Sequence, residues 1–246
     1  MLDAVTALSR GTRCVYQPGM RRYVFLPILV NLIVYVSMFS IVLNRFDGWL
    51  ANWMSMVPAW LDWLSWLIWP LFVISLLVVV FFTFTLVSSF IAAPFYGFLA
   101  AKVETQATGR APLDDRGLAK TAIDAIGREF VKLAYILPRA AALFVISWIP
   151  GLNLLAPLLW ALFSAWIMAI TYLDYPMDNN KVSFADMRQR LAKRWWESLT
   201  YGGLVTLITW IPLANLFLIP GAVAGAVLMW DTHYRDIKSI TRGNTA

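Results

Sequence analysis

One cysteine and one histidine occur in 246 residues. The lone Cys14 excludes an internal disulfide, and His233, with no Cys or His beside it, excludes the usual zinc ligand patterns. Charge is scarce too: Asp, Glu, Lys and Arg make up 14% of the chain and hydrophobic residues 60%, against roughly 25% charged in soluble domains. The sequence has no G-x-x-x-x-G-K-[ST] loop, so it carries no nucleotide-driven motor of its own, and no nucleophile elbow. No catalytic residue, cofactor or metal is assigned, and the chain is read as something other than an enzyme.

The apolar residues that remain are gathered into blocks. Tyr23–Asn44, Trp63–Ala101, Ala140–Leu173 and Ser198–Trp230 contain no Asp, Glu, Lys or Arg. About 20 such residues cross the hydrocarbon core of a bilayer, so each block is long enough to enter or cross one. The first block follows four arginines and is not trailed by a small-residue cleavage site, so it reads as a retained span rather than a signal peptide. If the first two blocks each cross once and the last two each dip in and return, 19 of the 20 Lys and Arg residues share one face, Arg45 being the exception. The positive-inside rule makes that face cytoplasmic, with both termini on it. The net charge of +6 is then a topology signal, and no nucleic acid partner is expected.

The expected architecture is an all-α integral membrane protein forming one membrane domain over residues 1–246. The second block is too long for one upright span: after Pro70, Leu71–Ala93 is expected to cross, Pro94 to kink the helix and Phe95–Ala101 to carry it on, giving spans at about 23–44 and 71–101. Trp60, Trp63, Trp66 and Trp69 recur every third residue ahead of it, the spacing of an interfacial anchor. The last two blocks share an internal repeat. Trp148-Ile149-Pro150 through Asn153-Leu154 and Trp210-Ile211-Pro212 through Asn215-Leu216 match at an offset of 62. With a breaker near the middle of each, they read as re-entrant helical hairpins over about 140–173 and 198–230. Asn153 and Asn215 either cap those turns or line a path.

Between the blocks the chain is amphipathic. Arg116, Lys120, Asp124, Arg128 and Lys132 step by four along one face, with Leu118, Ile123, Ile126, Phe130 and Leu137 on another. This predicts an interfacial helix from Asp115 to about Leu137, and a second is predicted at Phe184–Glu197 with Arg188, Arg190, Lys193 and Arg194 toward water or head groups. Arg128, Lys132 and Arg139 serve either to meet an anion or to anchor the helix.

The most informative junction is Pro18-Gly19-Met20-Arg21-Arg22. A Pro-Gly break ahead of a helix start leaves backbone N–H groups free beside two guanidinium forks, which is the chemistry of an oxyanion site. No carboxylate lies within seven residues of the arginine pair. A site made of donors alone suits an oxyanion without a proton better than one that has a proton to donate. The alternative is that Arg21 and Arg22 only set orientation. Glu104, Glu129 and Asp174 are candidate proton carriers, or partners of Lys102, Arg128 or Arg139. Asp174 and Asp178 are expected to be kept from acting together on a metal by Pro176 between them, and Ser183 is a candidate N-cap.

Gln17 through Pro27, Ala93 through Glu104, Asp174 through Val182 and Ile211 through Leu216 together resemble the CysZ family of bacterial inner-membrane sulfate uptake proteins, over about Leu8 to Asp236. The family commonly has Asn, Glu and His where this chain has Tyr96, Ala101 and Asn180. The resemblance implies two full spans plus half-membrane hairpins, a homo-oligomer in membrane lipid, and sulfate supply for assimilation into cysteine. It also implies sulfate binding at Gly19, Met20, Arg21 and Arg22. Lys102, Glu104, Arg128, Glu129 and Arg139 are candidate pathway residues. A scaffolding membrane protein, or a transporter of another oxyanion, is the alternative.

Overall fold

A backbone surrounded by lipid satisfies its own N–H and C=O groups most simply as α-helix, and among the described residues this chain is helical with no strand. The computed structural model describes residues 2–55, 65–113 and 117–237. The helices are α1 (Leu2–Val15), α2 (Arg22–Met54), α3 (Ser65–Thr108), α4 (Leu118–Ile146), α5 (Ala156–Asn179), α6 (Phe184–Lys193), α7 (Trp195–Thr209) and α8 (Pro212–Met229). A 3₁₀ turn, Leu152–Leu155, precedes α5, and a π turn, Trp230–Tyr234, follows α8. Three segments are long and apolar enough to cross a membrane: Arg22–Asn52, Trp69–Thr108 and Leu152–Asn179.

Leu26–Ala92 forms one unit. Tyr35 meets Phe84 edge-on at 4.8 Å and Phe46 meets Phe72 at 6.3 Å. Moving up α2 thus means moving down α3, which makes the two segments an antiparallel pair. Leu32, Ile33, Leu43, Leu71, Leu77 and Phe81 are all exposed, as lipid-facing side chains should be. The expected break at Pro70 is not seen, because α3 runs through it; past Pro94 the helix carries on, as expected, and reaches Thr108. Trp60 and Trp63 lie outside the described residues; Trp66 and Trp69 are exposed.

Residues 1–25 and 93–246 form the other unit, and the buried core is concentrated there. Ile170, Leu173, Met177, Met187, Leu191, Tyr201 and Tyr234 are fully enclosed. Two backbone approaches hold it together. A Cβ on Gly11 of α1 would stand 2.3 Å from the Gly225 nitrogen of α8, and one on Gly202 of α7 would stand 1.8 Å from the Ala165 carbonyl oxygen of α5. Small residues let helices in membranes approach until their backbones touch, where dispersion contacts are densest.

The repeat produces two helix-break-helix elements, as expected. α4 and α5 are separated by Ser147–Leu155, with Gly151 at φ +87, and α7 and α8 by Trp210 and Ile211. The proposed cap by Asn153 is not seen. Gly151 and Ile211 occupy the N-cap positions with no side-chain hydrogen bond, Asn153 is exposed within the 3₁₀ turn, and the Asn215 side chain lies outside those described. Instead the Trp160 indole donates to Ser147 Oγ across the first break, at 3.1 Å.

Three local details correct or confirm the reading of the loops. α5 runs through Pro176 to Asn179 and ends with Lys181 at φ 58, Val182 N–H donating to Met177 O at 2.9 Å. That is a left-handed helix stop, with the proline accommodated a turn earlier. Ser183 Oγ accepts from the Asp186 amide at 3.1 Å and caps α6. The predicted Phe184–Glu197 helix is broken at Arg194, and Arg190 faces inward to donate to the Tyr234 carbonyl at 2.9 Å, not outward to head groups.

Gly202→Ala should therefore destabilise the detergent-solubilised protein by about 3 kcal/mol or more. Gly203→Ala, whose Cβ meets nothing closer than the Ala165 Cβ at 3.8 Å, should change stability little. Thermal unfolding of the two variants side by side checks this, and equal midpoints would refute the backbone contact.

Candidate functional site

The link between α1 and α2 is shaped by two residues. Gly19 takes φ +92, a conformation that favours glycine, and Met20, 1% exposed, plugs into the core. With the turn pinned from both sides, Met20 N–H bonds back to Gln17 O at 3.2 Å and Tyr23 N–H to Met20 O at 3.0 Å. Among the described residues, no backbone carbonyl receives the N–H of Arg21 or Arg22. Both side chains are exposed. Arg21 Nε donates to the Tyr16 carbonyl at 2.9 Å, which leaves its two terminal nitrogens facing outward, and the Arg22 guanidinium lies 4.9 Å from the Tyr23 ring centre. Gln106 of α3 donates to Gln17 at 2.8 Å, tying this turn to the polar end of that helix.

α4 carries a second constellation, and its orientation reverses expectation. Ile123, Phe130, Leu137 and Phe144, each seven residues from the next, are 69, 60, 61 and 56% exposed. On the opposite side, Arg128, Lys132, Tyr135 and Arg139 share one stripe by their spacing. Lys132 and Asp174 are each only 2% exposed. Arg128 donates to Asp174 Oδ1 through Nε at 2.9 Å and Nη2 at 2.7 Å, and its Nη1 lies 3.2 Å from Asp178 Oδ1. Lys132 bridges Glu129 and, at 3.4 Å, Asp174, with its ammonium 4.9 Å from the Tyr175 ring centre. The predicted interfacial helix is thus inside out along this stretch: its apolar face points outward, and Arg128 and Lys132 point at α5.

Because α5 continues through Pro176, Asp174 and Asp178 do lie on one face, contrary to the expectation that proline would separate them. Their partner is a guanidinium, and among the described residues no cluster of His, Cys, Asp or Glu is arranged to hold a metal. The neighbouring groove, lined by Pro94, Gly97, Arg128, Lys132, Asp174 and Asn179, has room for about one water molecule. Asn179 closes one side by donating to the Gly97 carbonyl at 2.8 Å. Burial pushes the Glu129 carboxyl above the ordinary glutamate range, with the Lys132 ammonium opposing.

Glu104 sits elsewhere. Fully buried, it pairs with Arg235 and accepts from Asn180 at 3.0 and 2.9 Å. Lys102 is exposed, and so is Arg139, which folds over the Tyr135 ring. Among the five candidate pathway residues, then, Arg128 and Glu129 come together, Glu104 belongs to a second cluster, and Lys102 and Arg139 stand outside both. Sequence reasoning missed Arg235 and Asn180 as partners of Glu104. It also missed Asp178 as a partner of Arg128, although acidic residues one turn apart on α5 facing basic residues one turn apart on α4 were a readable signal.

The family model described as "EI24: Sulfate transporter CysZ/Etoposide-induced protein 2.4" matches residues 7–220. Two curated relatives named sulfate transporter CysZ, from Pseudomonas paraeruginosa and Pseudomonas aeruginosa, are each 43% identical to this chain over 226 residues, covering 91% of it and 92% of themselves.

Removing one member of a buried ion network strands the others, so Asp174→Asn should destabilise by about 3 kcal/mol or more, and Lys132→Met in the same chain should restore part of the loss. A folded-state pKa raised above the unfolded one means that Glu129 contributes stability below its unfolded pKa and loses that contribution as pH rises through the folded value. Thermal midpoints of wild type and Glu129→Gln between pH 4 and pH 8 should therefore diverge with pH, the wild type losing ground as pH rises; a constant difference would contradict the assignment.

Proposed function

The chain belongs to the CysZ family of sulfate transporters and carries sulfate across a membrane, and we propose that Gly19, Met20, Arg21 and Arg22 bind that sulfate. The observation that carries this reading is the left-handed Gly19 turn, which directs two unbonded amides and two exposed guanidinium groups to the head of α2. Gly19 provides the turn, Met20 anchors it in the core, and Arg21 and Arg22 supply charge and N–H donors. The dipole of α2 adds to the attraction of an anion at that end. Since every group offered is a donor, an ion without a proton is favoured over one that needs an acceptor.

From there the ion follows a path to which Lys102, Glu104, Arg128, Glu129 and Arg139 contribute. Replacing a buried ion network with apolar residues is often neutral or stabilising, so retention of one inside an apolar protein is better explained by conduction than by stability. The inward stripe of α4 would present fixed cations to a passing dianion, and the carboxylates of α5 would keep those cations from holding it too tightly. We favour a channel-like mechanism. Importing two negative charges against an inside-negative potential costs about 4.6 kcal/mol per 100 mV, which consumption of the sulfate on arrival offsets. Coupling to an inward proton is the second reading, favoured by the raised Glu129 carboxyl.

The setting follows from the same reading. The protein acts as a transporter, not an enzyme, in the bacterial inner membrane with its termini cytoplasmic, and it feeds sulfate assimilation and cysteine biosynthesis. The α4–α5 and α7–α8 pairs dip into the membrane as re-entrant hairpins of a single membrane domain. Their tips are apolar and exposed at Trp148, Leu154 and Trp210, and a second copy of the chain would cover backbone that lipid cannot satisfy.

Labelled sulfate uptake into proteoliposomes tests the site and the mechanism together. Arg21→Ala/Arg22→Ala should lower uptake at limiting sulfate at least tenfold, whereas uptake equal to wild type removes the site assignment. Uptake that proceeds without a pH gradient supports the channel-like path; strict dependence on the gradient replaces it with proton coupling.

A further inference from the structure

A second pair of arginines converges where neither has an acidic partner. Arg139, near the end of α4, places its Cζ 3.7 Å from the Tyr135 ring centre and donates from Nη1 to the Tyr135 carbonyl at 2.7 Å. Arg188 of α6 places its Cζ 4.9 Å from the same ring centre and 5.4 Å from that of Phe184. The ring is held from behind: Trp166 Nε1 donates to the Tyr135 hydroxyl at 3.2 Å, and Phe184 meets it edge-on at 5.7 Å. Two like charges are therefore fixed by a shared aromatic post, their Cζ atoms no more than about 8.6 Å apart, the sum of the two ring distances.

Neutralisation by another described side chain is not available to them. Among the described residues no carboxylate lies within salt-bridge distance of Arg139 or Arg188. The nearby acids are committed, Asp174 and Asp178 to Arg128, and Asp186 to Arg190. Arg188 Nε is also buried with no hydrogen-bond acceptor, a condition that protein interiors avoid unless something else supplies the acceptor. Charge-assisted pairing of a guanidinium with a tetrahedral oxyanion puts Cζ about 4 Å from the central atom. Two guanidinium groups sharing one such ion stand no more than about 8 Å apart, a separation that the two ring distances allow.

The geometry points to an oxyanion-binding station between Arg139 and Arg188, separate from the turn at Gly19–Arg22. Its ligand is a tetrahedral anionic group, carried either by free sulfate or by the phosphate of an anionic phospholipid head group. The assignment does not rest on the role of Arg21 and Arg22, and it gives Arg139 a specific partner in Arg188.

The test uses the full chain in detergent, in an Arg21→Gln/Arg22→Gln background so that only this station is read. Two probes are applied: labelled inorganic sulfate in a binding assay, and phosphatidylglycerol against phosphatidylcholine in thermal unfolding. Saturable sulfate binding that weakens at least tenfold on adding Arg139→Gln/Arg188→Gln identifies the free ion as ligand. Stabilisation by phosphatidylglycerol alone, lost with the same substitutions, identifies the lipid. If the background protein responds to neither probe, or responds identically with and without the Arg139 and Arg188 substitutions, the station does not exist. Should the Arg188 substitution prevent folding, Arg139→Gln alone, at an exposed position, must still weaken the response several-fold. Sulfate binding that ignores Arg21 and Arg22 but requires Arg139 and Arg188 would uphold this station while removing the first.

Discussion

The contact on which the rest of the second unit depends is the one between Arg128 and Asp174. A guanidinium on α4 and a carboxylate on α5 can share a buried site only if the two helices turn their polar sides toward each other. Once they do, Lys132 and Glu129 are carried in with Arg128, Asp178 follows Asp174 one turn later, and the apolar side of α4 is left facing outward. In water such a helix would turn over. A lipid environment removes the penalty on its outer face and raises the penalty on any unpaired charge, so the same sequence settles with its ions inside.

That inversion explains where sequence reading succeeded and where it failed. Uncharged blocks, the twin Trp-Ile-Pro breaks, the Ser183 cap and the Gly19 turn are local: each is set by a few neighbouring residues, and each is where it was expected. The orientation of α4 is not local. Its periodicity separates a charged stripe from an apolar one but cannot say which faces out, because that depends on whether water or lipid lies outside and on what α5 offers in return. The same holds for Arg190, read as a surface cation and found bonded to the backbone of the terminal segment.

Proline was overrated for a related reason. Each proline removes one helical hydrogen bond and clashes with one carbonyl, which suggests a break when the segment is considered alone. Pro70 and Pro94 lie in one unbroken helix, and Pro176 lies within α5, where the Asn180 side chain donates to the Pro176 carbonyl at 2.8 Å. The donor-rich turn at Gly19–Arg22, the proposed site, was legible because its signal is composition as much as shape: donors without acceptors over a stretch in which no carboxylate intervenes. The Arg139–Arg188 pair was not, since its members lie on different helices and meet only through Tyr135.

The close backbone contact of α1 with α8 sets an order of events during synthesis. α1 emerges from the ribosome well before α8, and the surface it needs, Gly221 and Gly225, is made more than 200 residues later. Until then α1 has no partner for its glycine face, and the turn that follows it hangs on an undocked arm. Residues made early are therefore among the last to be seated, and a chain interrupted before α8 lacks the support that fixes Arg21 and Arg22 in place.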